Sequence, residues 1–524
     1  MGSGDRAVQT VAQKADLTVK RRTGQKVVVI GAGIGGLTAA ALLAHRGYAV
    51  KVFDQAIVPG GCASTFKRRG FTFDVGATQV AGLEPGGIHY QIFEELGIEL
   101  PPASECDPAC AVFLPGEREP INVWRDPQKW KEERERQFPG SAPFWAFLKK
   151  LFDYSWRFQQ RDPVLPPRSV WDIWQLGTAV RPDTLLTVPF TFSTVGDILR
   201  GYGLYENKRL RTFLDMQLKL YSQTTADKTA VLYAATALGV SQAPHGLYHL
   251  KGSMQVLSDR LTESLEQNGG ELYMRHKAEA ISIENSKPTQ VKVTNKKGDS
   301  WLEEADHVVA NVTVQNLVRL AQDNKMKGYE KRVEKLPPSS GAFVIYLGVE
   351  QAAIPKGCPP HLQFKYDYDG PIAENNSLFV SVSRPGDGRA PEGKATIIAS
   401  SFTDVQQWYD CDEDGYKAMK ENYTQEAISR LKDYFDLRPE HLVHTEAATP
   451  RSFETFTGRD QGIVGGIGQS VPTFGPFGFA TRTPIQNLWL VGDSTHPGEG
   501  TAGVSYSAMT AVRQIERSDA KPSV

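Results

Sequence analysis

KVVVIGAGIGGLTAAALLAHRGYAVKVFD (residues 26–54) decides the fold. Residues 26–30 form a short β-branched run, as expected of a parallel strand covered on both faces. Gly31-Ala32-Gly33-Ile34-Gly35-Gly36 follows without a gap, and the Ala- and Leu-rich 37–45 favours helix. Gly47 predicts the helix stop. Residues 48–53 read as a second strand, closed by Asp54, so the whole is one β-α-β unit. A bare Gly-x-Gly-x-x-Gly run occurs often by chance. Here it lies between a strand and a helix, and Asp54 comes 18 residues after Gly36. Gly31 permits the tight turn, Gly33 lets backbone approach a pyrophosphate, and Gly36 lets the helix pack on the strand. Gly35 lies in the same turn, where free N–H groups and the partial positive charge of a helix start suit a phosphate. Asp54 can accept hydrogen bonds from a ribose hydroxyl.

This element is common to FAD and NAD sites. The far end of the chain supplies the choice. Residues 488–491 (LWLV) read as a short buried strand leading into Gly492-Asp493, a Gly/Pro stretch and a last helix over 503–516. A carboxylate at a strand end can bind a ribityl hydroxyl, while the next helix start faces a flavin pyrimidine edge. With the N-terminal unit, this resembles the arrangement of two-part flavoproteins, and FAD is the expected cofactor.

The chain has 524 residues, which suggests about three domains or sub-domains. Lys and Arg number 59 against 60 Asp and Glu, a balance that argues against a nucleic-acid partner. Apolar residues make up 40% and charged residues 23%, which excludes a wholly disordered chain. Cys62, Cys106, Cys110, Cys358 and Cys411 are too few and too scattered for a disulfide framework. Cys106 and Cys110 have no companion Cys/His cluster, so no metal is expected. No apolar run of about 20 residues appears, so no spanning helix is expected. The polar stretch 1–25 lacks the apolar core of a signal peptide and reads as a flexible leader.

Along the rest of the chain, 59–78 reads as loop. Helices are expected over 88–96, 143–160 and 252–267. Strands are expected over 271–274, 278–283, 306–311, 341–349, 377–382 and 395–400, the last three antiparallel. Six of the nine tryptophans fall between 124 and 174, mixed with basic residues. The expected organisation is an FAD-binding domain from 26–123, 241–315 and 471–524, a helical, aromatic region over 124–240, and a mixed-sheet substrate domain over 316–470.

Five stretches together resemble the carotenoid desaturase/isomerase branch of the phytoene-desaturase-like FAD enzymes. They are 27–54, PGGCASTFKRRGFTFDVGAT (59–78), LKGSMQVLSDRL (250–261), TPRSFETFTGRDQGIVGG (449–466) and NLWLVGDSTHPGEGTAGVSYSA (487–508). The resemblance extends over almost the whole chain after residue 25, and is nearest to cyanobacterial-type C-3′,4′ desaturases, which act on monocyclic or hydroxylated carotenoid ends. The THPGEGTAGV stretch looks more like desaturases than isomerases, which usually carry FPGQG there. One departure is Cys62, where many relatives have Arg. The resemblance implies an α/β Rossmann-type, amine-oxidase-like fold. It implies that Gly60, Gly61 and Ser64 lie along the diphosphate and flavin, and that Gly76, Ala77 and Thr78 approach the isoalloxazine. Ala278 and Glu279 would contact the adenine side, Gly492 and Asp493 the ribityl-phosphate portion, and Gly503 and Val504 the flavin pyrimidine edge.

The implied chemistry is loss of a hydride and a proton from adjacent carbons of a polyene, with quinone or oxygen taking the electrons onward. A cis–trans isomerase using reduced FAD, a related oxidase or saturase, and a non-catalytic carotenoid- or flavin-binding protein are the alternatives. A hydrocarbon offers almost no hydrogen-bonding handle, so its site should be a long aromatic-lined tunnel. Glu499 and His496, beside the expected flavin edge, are the candidate proton acceptors; Asp74 reads as a structural carboxylate. Residues 143–205 are the expected monotopic contact with a membrane surface on a cytoplasmic or stromal-type face.

Overall fold

Three separate stretches of chain supply the strands of one parallel sheet. The computed structural model describes residues 24–520; the leader expected over 1–25 lies outside them except for Gly24 and Gln25. The sheet order is Glu271–Met274, Ala49–Asp54, Lys26–Ile30, His307–Ala310 and Leu488–Leu490. Val28 pairs with Lys51 on one side and Val308 on the other. Val27 and Val29 face a helical layer made by Ile34–His45, Gln255–Gln267 and Thr501–Asp519. Val28 and Ile30 face the antiparallel meander His276–Glu284, Lys287–Asn295 and Ser300–Glu304. Burial on both faces explains the unbroken β-branched run. The helix Ile34–His45 is buried from Ile34 to Ala44. It is apolar on every side because the C-terminal helix and Gln255–Gln267 cover what the sheet does not.

A second, seven-stranded sheet runs in the order Leu442–Ala448, Ser340–Glu350, Lys394–Asp404, Ser377–Val382, His361–Lys365, Cys110–Phe113 and Ile121–Val123. Its pairs are antiparallel except His361–Lys365 with Cys110–Phe113. The expected strands over 341–349, 377–382 and 395–400 are its centre. Two stretches cross the expected boundaries: Cys110–Phe113 joins this second sheet, and Leu317 and Met326 pack with the meander side of the first. A helical cap, including Pro127–Gln137, Ala142–Gln159, Lys208–Ser222 and Val231–Gly239, closes over the space between the sheets.

The stretch 59–78, expected as loop, contains the hairpin Thr65–Arg68 and Phe71–Asp74. Its two-residue turn places Arg69 at φ 47° and Gly70 at φ 85°, the left-handed pair that a tight hairpin needs. Arg in the first of these places hid the turn signal. Asp74 is buried, accepts the Met254 N–H at 2.8 Å and pairs with Arg389 Nη2 at 3.0 Å. Arg389 also pairs with Asp387, which meets His249 at 2.9 Å. This network ties the hairpin to the second sheet, outside the cavity described next.

Candidate cofactor and substrate site

A single cavity of about 1030 Å³ runs from the carboxyl ends of the parallel strands into the space beneath the helical cap. That is the end of an open α/β sheet where ligands bind. The volume slightly exceeds the usual upper limit of about 1,000 Å³ for a single small-molecule pocket, which leaves room for a dinucleotide and part of a second guest.

One half of the cavity is a backbone cradle. Gly31, Gly33 and Gly35 line it, with Gly60 and Gly61 across from them. A Cβ on Gly33 would come 2.8 Å from Asn311 Nδ2, so a side chain there must displace the Asn311 amide. Two helices start at this cradle: Ile34–His45 after Gly33, and Thr501–Asp519 after Gly500. Neither has a side-chain cap or an acidic residue in its first turn. Their unpaired N–H groups therefore suit an anion. Asp54 accepts the Ala32 N–H at 2.6 Å and the Ala56 N–H at 2.7 Å, and still lines the cavity. Burial raises its carboxyl above the ordinary range, with those two N–H groups opposing the shift. These residues fit a flavin dinucleotide.

Of the residues singled out in the sequence, Gly76, Ala77, Thr78, Ala278, Glu279, Asp493, Gly503, Val504, His496 and Glu499 also line the cavity. Gly36, Ser64 and Gly492 lie behind its wall. A Cβ on Gly36 would collide with Gly31 O at 2.0 Å, and Ser64 Oγ donates to Gly61 O at 2.7 Å. These two shape the turns. Gly492, at φ 107°, sets the bend before Asp493. Cys62 also lines the cavity; burial pushes its thiol up.

Two residues escaped the sequence reading. Asn311 ends the strand His307–Ala310 and sits against Gly31, Gly33 and Gly35; its place just after a buried strand was the available signal. Arg459, within the quoted 449–466 stretch, is ion-paired with Asp493 at 2.8 Å. A lone Arg in a loop gives no periodic signal.

The other half of the cavity is apolar and aromatic. Trp156, Tyr221, Tyr233, Phe379, Phe402 and Phe474 line it, drawn from the cap, the second sheet and the loop before the last strand. Glu499 and His496 project into this half. Gln223 Nε2 donates to Glu499 Oε2 at 2.8 Å, while Oε1 is buried without a hydrogen-bond partner. Burial raises the Glu499 carboxyl well above its ordinary range; the Gln223 bond opposes this, and the Asp493 charge adds to it. His496 Nε2 lies 3.0 Å from Gln159 Nε2, and burial lowers the ring to about 4. At neutral pH the imidazole is therefore uncharged.

The described residues hold no cluster of three or more His, Cys, Asp or Glu able to bind a metal. Cys106 and Cys110 are buried free thiols. Among the described residues no helix is long and apolar enough to cross a membrane.

Comparison with known proteins agrees with this geometry. The chain is 26% identical to a chloroplastic prolycopene isomerase of Daucus carota over 502 residues, covering 93% of this chain and 79% of that one. It is 26% identical to a zeta-carotene-forming phytoene desaturase of Myxococcus xanthus, covering 94% of both. An oxidoreductase from Methanosarcina mazei superposes with a TM-score of 0.61 at 18% identity, over 93% of this chain and 100% of that one. Cyclohexylamine oxidase from Brevibacterium oxydans does so with a TM-score of 0.59 at 15% identity, over 94% and 100%. Residues 34–516 match the family described as flavin containing amine oxidoreductase. The chain belongs to that family, with an α/β amine-oxidase-like fold, a mixed-sheet second domain and FAD as its cofactor.

Proposed function

We propose that this protein is an FAD-dependent carotenoid desaturase acting at the C-3′,4′ bond of a monocyclic or hydroxylated carotenoid end. The observation that carries this reading is the continuity of the cavity: the dinucleotide cradle opens directly into an aromatic chamber. Similarity to a phytoene desaturase over nearly the full length of both chains supports the substrate class; the THPGEGTAGV stretch supports the choice of reaction.

Bound FAD supplies a two-electron acceptor for the hydride leaving one carbon. The chamber holds the polyene by apolar burial, at roughly 25 cal/mol per Å², and excludes water. The proton on the adjacent carbon leaves to a base. Glu499 fits that role better than His496: burial makes its carboxylate a stronger base than an ordinary one, whereas burial weakens the imidazole as a proton acceptor. His496 orients its surroundings through Gln159. Quinone or oxygen then takes the two electrons.

The substrate class calls for access from a bilayer. Val170, Ile173 and Trp174 stand on the outer side of helix Val170–Ala179, and Leu185, Leu186, Val188 and Phe192 are exposed in the stretch of chain that follows. Val170 is 84% exposed and Phe192 69%. An apolar stripe turned outward, with Trp and nearby exposed Arg157 and Arg181, suits the headgroup level. The patch is narrower than the expected 143–205, because Phe144, Trp145, Leu148 and Phe152 are in the core.

The second reading is a cis–trans isomerase, favoured by the similarity to prolycopene isomerases. Incubation with a carotenoid panel separates the two. A product lighter by two hydrogens with a red-shifted spectrum supports the desaturase; a new retention time at constant mass supports the isomerase. Tight pigment binding without any change supports a carrier.

A further inference from the structure

We infer that Arg459 binds the diphosphate of the cofactor, as a third anion contact beside the two helix starts. Its loop, Gly458 to Gly466, belongs to neither the N-terminal β-α-β unit nor the C-terminal strand and helix. It nonetheless reaches the middle of the dinucleotide cleft. On one flank, Asn316 Nδ2 donates to Gly458 O at 2.6 Å, and a Cβ on Gly458 would come 3.0 Å from Gln55, next to Asp54 at the ribose end. On the other flank, Arg459 Nη2 lies 2.8 Å from Asp493 Oδ2. Between those flanks the Gly33 turn bridges to Gly60, and Cys62 follows. The guanidinium lines the cavity between Asp493 and Cys62, and Gly61, beside Cys62, packs on the Gly33 turn, so the charge faces the side of the cleft where a diphosphate passes into the ribityl chain.

Its donors are only partly spent. Nε donates to Ile463 O at 2.5 Å. Nη2 is buried, and its approach to Asp493 does not form an aligned hydrogen bond. The neighbouring Asp460 is taken by Arg319 at 2.6 Å, and Glu499 accepts from Gln223. A guanidinium keeps its charge even when buried, and its planar fork matches phosphate oxygens. A buried, permanently charged fork that lines the cavity, with its buried Nη2 lacking an aligned hydrogen bond, calls for an anion. Asp493 sets the angle of that fork and remains available to hydroxyls.

This inference rests on the FAD assignment, and its test separates the two. The full chain, stripped of flavin by dialysis, is titrated with FAD, ADP and riboflavin. If the unaltered protein binds neither FAD nor ADP, the cofactor assignment fails. If it binds both, the Arg459→Met protein should bind FAD and ADP at least about tenfold more weakly and riboflavin unchanged. Arg459→Lys should recover part of the loss, since the charge stays and the fork is lost. An ADP affinity unchanged in both variants overturns the inference, whether or not FAD binding falls. Because Arg459→Met also frees the Asp493 carboxylate, the double variant with Asp493→Asn is measured too. Weak ADP binding in the double variant supports direct contact; full recovery would mean that repulsion by Asp493 caused the loss, and would overturn it. If Arg459→Met does not fold, Arg459→Lys alone decides by its ADP affinity, which must fall.

Discussion

Gln223 Nε2 donates to Glu499 at 2.8 Å and leaves the second carboxyl oxygen buried and unpartnered. The pair joins the helical cap to the loop that precedes the C-terminal helix. If Glu499 accepts the substrate proton, Glu499→Gln should lower turnover by about 10²–10⁴-fold with little change in KM. Burial raises the carboxyl, so the ionised base appears only as pH rises above the ordinary carboxylate range. Activity should therefore climb with pH through that raised value, and the limb should vanish in the variant. A variant retaining wild-type turnover removes Glu499 from the mechanism.

Gly33→Val should abolish flavin retention, since the branched side chain would displace the Asn311 amide and stand in the cradle that Gly33 lines. Absorbance of the purified protein in the flavin bands reads the outcome. A yellow variant with full flavin occupancy contradicts the cradle.

Ser in place of Trp174 and Phe192 should weaken liposome association in flotation, with the fold unaltered by circular dichroism. Both side chains are largely exposed and make no core. Unchanged flotation takes the patch out of the account.

His89 and His496 are both lowered by burial to about 4. The unfolded chain takes up protons near pH 6.5, before the folded one does, so these groups hold full stability above about pH 6.5 and lose it as pH falls toward 4. Each contributes on the order of 3 kcal/mol across that window. Tm should fall steadily between pH 6.5 and 4.5; a flat profile contradicts neutral burial.

Arg389→Met should cost about 3–5 kcal/mol, because it strands the buried Asp74 and Asp387 carboxylates without their shared cation. Urea unfolding measures this. A loss below about 1 kcal/mol would show that the network is not what fixes the hairpin.

Local pattern carried most of the first sheet. The run of valines at 27–29, the glycines at 31–36 and the short strand at 488–490 each announce themselves within a few residues. The pairing of Cys110–Phe113 with His361–Lys365 joins positions about 250 apart and leaves no such mark. The same holds for the site. Asp54, Gly60 and Glu499 sit in recognisable motifs, whereas Asn311 and Arg459 become functional candidates only when the strand ends converge. The aromatic cap was visible as composition, but which rings point inward and which outward depends on tertiary packing: Trp145 is in the core and Trp174 is on the surface.

The most direct test of the central claim is mass spectrometry of the carotenoid product after anaerobic incubation of the purified flavoprotein, with absorbance followed in parallel. The account predicts a product two hydrogens lighter, formed as the flavin bands bleach, with colour restored by quinone or oxygen. Substrate recovered at unchanged mass while the flavin stays oxidised would contradict it.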